Sequence, residues 1–161
     1  MSIIPSDSTT RFGDRVNDYV RARPGYSPRV VELCVESGYL IAGDAVADVG
    51  SGSGLLTKKF LDRGYEVFGV EPNEAMRLAA ETRLGAEAGF LSVDGTAEHT
   101  TLPAASVALV TAGQAFHWFD AERAKQEFCR ILKPGGACLL VWNARVLDSS
   151  PFASSVQSRF R

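Results

Sequence analysis

The stretch Ala45-Val46-Ala47-Asp48-Val49-Gly50-Ser51-Gly52-Ser53-Gly54 decides the fold. Its first five residues are a short, almost wholly apolar run, the mark of a strand covered on both faces. Three alternating glycines follow, and these let the backbone turn tightly and approach a ligand. Leu55, Leu56, Phe60 and Leu61 then mark a helix ending before Gly64, so the loop stands at a helix N-terminus. Alone, such a loop is a weak signal, since similar turns serve simple chain reversal.

The strand–helix rhythm continues outward from it. Residues 65–70 read as a second strand, and Asn73 caps a helix carrying Ala75, Met76, Leu78 and Ala79. Residues 89–93 give a weaker third strand and residues 106–111 a fourth. Asp120 caps a helix in which Ala121, Ala124, Phe128, Ile131 and Leu132 follow helical spacing. Lys133-Pro134-Gly135-Gly136 is expected to stop it and turn into a fifth strand over 137–142. Upstream, residues 11–23 alternate charge with Phe12, Val16, Tyr19 and Val20, predicting an amphipathic helix behind a loose polar tail over 1–10. Ser27 and Pro28 read as the start of another helix, with Val30, Val31, Leu33, Cys34 and Val35 facing inward. Strands alternating with helices predict an α/β fold: one domain over 1–161, a Rossmann-like parallel sheet with helices on both faces.

Composition narrows the function. With 45% hydrophobic and 22% charged residues the 161-residue chain has a globular mix, which rules out wholesale disorder. A net charge of −2 supplies no bulk basic field for nucleic acid or an anionic membrane. Cys34, Cys129 and Cys138 lie far apart, with no CxxC pair or Cys/His cluster, so neither a disulfide framework nor a metal site is encoded. Reduced, buried thiols in a cytoplasmic protein are the expected state. The first ten residues lack signal-peptide character, and no apolar run approaches the roughly 20 residues of a membrane span.

In an open parallel sheet, ligands bind beyond the carboxyl ends of the strands. A dinucleotide fingerprint would need glycine at position 55, where Leu55 stands. Asp48 places a carboxylate just before the loop, awkward beside a pyrophosphate but useful beside an ammonium group. The ligand suggested is a nucleoside carrying an amino acid. Glu71 stands 21 positions after Gly50, near the spacing of an acid that accepts from ribose hydroxyls. Asp94, after the third strand, suits an exocyclic adenine amine, although Asp94-Gly95 also favours a plain turn. After the fourth strand, residues 111–120 gather Phe116, His117, Trp118 and Phe119. His117 is a candidate general base there, against the commoner structural role of a lone histidine. His99 sits in a polar stretch and reads as solvated.

Together the Asp48–Gly54 loop, Glu71, Asp94-Gly95-Thr96-Ala97-Glu98 and Leu132-Lys133-Pro134-Gly135-Gly136 resemble the motifs of class I S-adenosylmethionine-dependent methyltransferases. The likeness is to the small-molecule branch labelled methyltransferase type 11, which includes trans-aconitate methyltransferase-like proteins, and it runs over about 19–143. The resemblance implies that Gly50, Ser51, Gly52 and Gly54 hold the methionine part of the cofactor, with Asp48 beside them. It implies that Glu71 and Pro72 meet the ribose, and Asp94, Gly95 and Ala97 the adenine. Gln114 would line the site near the methyl and, with His117, serve the reaction, while Trp118 would face the acceptor. Tyr19 and Arg23 resemble an amino-terminal motif that closes over the cofactor. The Asn/Asp-Pro-Pro-aromatic motif of nucleic-acid amino methylases is missing after the fourth strand. A small-molecule carboxylate, hydroxyl or carbon acceptor is therefore implied. The alternatives are a non-catalytic cofactor-binding domain and an NAD(P)-dependent oxidoreductase, the latter disfavoured by Leu55 and by the lack of a Tyr-x-x-x-Lys pair.

The resemblance also implies seven strands, but only 18 residues follow Asn143. The expectation is a truncated domain of about five strands without the last two. Its fifth strand would be an apolar edge that a second copy of the chain or another partner covers, or else the chain would be poorly soluble, and catalysis would be weak at best.

Overall fold

The computed structural model describes residues 25–143. Its five strands are β1 (Ala45–Val49), β2 (Glu66–Val70), β3 (Phe90–Val93), β4 (Val107–Gly113) and β5 (Leu132–Val141). The helices are α1 (Arg29–Glu36), α2 (Thr57–Leu61), α3 (Glu74–Leu84) and α4 (Ala121–Ile131). The strands form one parallel sheet in the order β3-β2-β1-β4-β5. The chain works outward from β1 to β3, then returns to lay β4 on the other side of β1. The crevice at that reversal, beyond the ends of β1 and β4, is where this architecture takes ligands.

Alternation along the strands divides the core in two. Val46, Val67 and Leu109 point to the face covered by Val31 and Cys34 of α1, Phe60 and Leu61 of α2, and Leu84 of α3. Ala47, Val49, Val70, Val107 and Val110 point to the other, where Ala124, Phe128 and Ile131 of α4 pack. Asn73 caps α3 by accepting from the Met76 amide at 3.0 Å, and Asp120 caps α4 by accepting from Arg123 at 3.2 Å. Both caps are the ones the sequence predicts.

Four expectations need correction. Helix α1 begins at Arg29 with Pro28 at its N-cap, while the Ser27 hydroxyl accepts from the Arg29 amide. Of its five apolar residues only Val31 and Cys34 are buried, because five in so short a run span more than one face; Leu33 and Val35 are about half exposed. Strand β5 begins at Leu132: the first residue pairs with Val107, Lys133–Gly136 bulge out of register, and Ala137 resumes pairing with Leu109. Only Cys34 is a buried thiol; Cys129 and Cys138 are exposed. The expected helix over 11–23 and tail over 1–10 lie outside the described residues, as does everything after Asn143.

Gly54 shows how closely loop and core are joined. Its φ is +81°, and a Cβ there would overlap Leu84 Cδ1. Gly54→Ala is expected to cost about 1–3 kcal/mol in urea unfolding, through left-handed backbone strain and overpacking against a fully buried leucine. A loss under half a kcal/mol would show that Leu84 simply moves aside.

Candidate functional site

Where the sheet order reverses, an open cleft of about 840 Å³, part of it continuous with solvent, lies over the strand ends. Asp48, Gly50, Ser51, Gly52, Glu71, Pro72 and Gln114 all line it, so about half of the residues expected from the sequence come together. Gly50 (φ +69°) is pressed against the 114–120 loop, with Ala115 Cβ 2.7 Å from where its own Cβ would stand. Gly52 (φ +55°) has nothing within 4 Å of that point, leaving an open cradle of backbone. Gly54 is a packing residue and not part of the wall.

Two carboxylates face the cleft. Asp48 is wholly buried; Thr57 Oγ1 donates to its Oδ2 at 2.6 Å and Thr111 Oγ1 to its Oδ1 at 3.1 Å. Burial pushes its pKa up to about 6, the two hydroxyls oppose the rise, and the charge on Glu71 adds to it. Glu71 accepts from the Gly52 amide at Oε2 and from the Asn73 amide at Oε1, both at 2.9 Å. Burial raises its pKa as well, against those backbone donors. Among the described residues no Lys, Arg or His lines the cleft.

Other expected residues stand elsewhere. Asp94 is outside the wall, its side chain 73% exposed, because Arg77 Nη1 captures Oδ1 at 3.0 Å. The same nitrogen takes the carbonyls of Glu71 and Pro72, tying the end of β2 to the end of β3. Gly95 and Ala97 are buried away from the cleft; a Cβ on Gly95 would meet the Thr100 carbonyl at 2.8 Å. His117 is exposed outside the wall, its ring 4.9 Å from Trp118. Tyr19 and Arg23 lie outside the described residues. The wall also includes residues for which the sequence suggests no cofactor role, among them Tyr26, Leu55, Leu56, Asn73, Met76, Gly113 and Phe119. Tyr26 is buried, and its hydroxyl lies 2.5 Å from where a Gly113 Cβ would be, so glycine at 113 makes room for the phenol.

Residues 47–140 match the model of a methyltransferase domain. The chain belongs to the type 11 methyltransferases. An uncharacterized methyltransferase of Mycobacterium tuberculosis is 37% identical over 139 residues, covering 86% of this chain and 54% of that protein. An uncharacterized methyltransferase of Schizosaccharomyces pombe is 33% identical over 138 residues, covering 83% and 53%. A solved candidate Type II methyltransferase from Anaeromyxobacter dehalogenans superposes with a TM-score of 0.69 at 31% identity, over 86% of this chain and 56% of that one. The chain spans about half the length of the curated relatives it matches.

S-adenosylmethionine is the cofactor this methyltransferase family uses. The cleft fits it. Gly52 leaves open backbone where a side chain would intrude, Glu71 is fixed by two amides at ribose spacing, and Asp48 is a buried acid with, among the described residues, no basic residue on the wall beside it.

Proposed function

We propose that this domain transfers a methyl group from S-adenosylmethionine to a small-molecule carboxylate, hydroxyl or carbon. The observation that carries the reading is a cleft lined by two acids and, among the described residues, by no base. Such a wall favours a cationic ligand and repels a diphosphate. Asp48 and the glycine loop would hold the amino-acid end and Glu71 the ribose.

When bound, the cofactor supplies a methyl group on a positively charged sulfur, activated for direct displacement. The domain's contribution is to hold the acceptor in line and to exclude water, which can supply most of the rate. Tyr26, Gln114, Trp118 and Phe119 wall the side of the cleft nearest β4 and would position the acceptor. A carboxylate acceptor enters already ionised and needs no base, whereas a hydroxyl or carbon acceptor must lose a proton, and His117 stands exposed outside the wall. Its place of work is proposed to be the cytoplasm, in keeping with three free thiols.

Calorimetry with S-adenosylhomocysteine and with NAD tests the cofactor. Micromolar binding of the first with none of the second is expected, and comparable affinities would overturn the assignment. Turnover of a labelled methyl donor over a panel of small acids and alcohols then tests the acceptor class.

A further inference from the structure

Thr57 opens α2 and Thr111 sits on β4 directly beside Asp48 in the sheet register. Both are fully buried, and both spend their hydroxyl on the same carboxylate. Packing alone does not ask for this. Valine has nearly the same shape, suits a buried parallel strand better, and carries no hydroxyl to desolvate. A buried carboxylate without a cation is costly, and the described cleft wall offers none. Two hydroxyl donors, with the Thr57 backbone amide, lower that cost and still leave acceptor positions on the carboxylate for a ligand.

We propose that Thr57 and Thr111 are positioning residues of the cofactor site, holding Asp48 ionised and turned so that its free acceptor positions receive a ligand's ammonium group. The proposal rests on the cofactor reading above. Glu71, from the end of β2, and Tyr26 are the other ionisable groups on the described wall. β4 carries none, Lys58 of α2 is drawn to Asp62 and Glu87, and His117 and Asp120 of the following loop stand outside the wall. Protonation of Asp48 is therefore the event that removes the ammonium's counter-charge, and with the carboxyl at about 6 it falls in an accessible range. Each hydroxyl lost moves that event to higher pH.

The test compares S-adenosylhomocysteine with 5′-methylthioadenosine, which keeps the nucleoside and lacks the amino acid. Calorimetry is run from pH 5 to 8 on the wild type, Thr57→Val, Thr111→Val, both serine variants and Asp48→Asn. Wild-type affinity for S-adenosylhomocysteine is expected to fall about tenfold per pH unit below the carboxyl's pKa. At pH 6.5 each valine variant should bind it about tenfold more weakly, with the midpoint moved upward and the serine variants close to wild type. Methylthioadenosine should change less than twofold throughout. Equal losses for both ligands, or valine variants matching the wild type, would overturn the proposal. Should the valine variants fail to fold, Thr57→Ala and Thr111→Ala replace them: an upward-moved midpoint for S-adenosylhomocysteine supports the proposal and a wild-type profile sinks it, while Asp48→Asn, expected to give a flat profile, identifies the titrating group. Absence of S-adenosylhomocysteine binding to the wild type would instead remove the cofactor reading itself.

Discussion

Glu71→Ala should weaken S-adenosylhomocysteine binding by about 2–4 kcal/mol, thirtyfold to several hundredfold, the scale of losing charge-assisted hydrogen bonds. Its carboxylate is already oriented by the amides of Gly52 and Asn73, so little ordering cost remains when a ribose arrives. Those same bonds change what the substitution does to the fold. A strand-end acid read from sequence contributes little to stability, but removing this one leaves two amides without their acceptor, for a loss of about 1–2 kcal/mol. Glu71→Gln, which keeps one oxygen, should lie between. Calorimetry and thermal melts of the three proteins separate the effects. Wild-type affinity in the alanine variant would reduce Glu71 to an organiser of the loop.

The largest stability effect is expected at Glu127. This buried residue on α4 accepts from the Thr100 amide and hydroxyl at 2.8 and 2.6 Å, and from Arg130 Nε and Nη2, each at 2.7 Å. Arg130 Nη2 also holds the Leu102 carbonyl at 2.7 Å, so one pair pins the loop between β3 and β4 to the helix. Removing the acid strands several donors at once, and Glu127→Ala should cost about 2–4 kcal/mol, the half-exposed arginine keeping it below a fully buried pair. For a chain of this length that is a fall in Tm of about 6–12 °C. Arg130 and Thr100 hold the carboxyl down to about 2, from an ordinary 4.5. A depressed acid stabilises fully above its unfolded pKa and loses that contribution as pH falls from about 4.5 towards 2. The wild type should therefore lose stability over that window and the alanine variant should lose much less. Parallel acid curves would show that the pair is not what fixes the loop.

What could be read from the sequence, and what could not, follows the range of the interactions. The glycine loop, both side-chain caps and the parallel sheet depend on near neighbours and on periodicity, and all are visible in residues 45–131. Lys133–Gly136 reads locally as a turn between helix and strand; only the Val107–Leu132 pairing, made across the sheet, extends β5 back to the helix end. Asp94 reads as a ligand group until Arg77, a turn into α3, reaches it. Tyr26 could not be placed on the cleft, because its partner is a missing side chain at Gly113, far along the chain. The repeated burial of Val31 and Cys34 without Leu33 and Val35 shows that composition finds a helix more readily than its inner face.

Gln114 adopts a left-handed backbone, φ +52°, at the mouth of the cleft, while its amide is held by the Val141 carbonyl at 2.8 Å. The strain at that position depends on the residue: glycine relieves it, asparagine and aspartate tolerate it, and β-branched residues suffer most. Gln114 stands there partly buried on the cleft wall, and the fold accepts unbranched or short polar side chains at that point more readily than β-branched ones. Within that set of side chains the wall can change while the fold hardly does. Position 114 is thus where a library drawn from those tolerated residues could reshape the cleft at little cost in folding, and where drift between related domains would alter the wall before it altered the architecture.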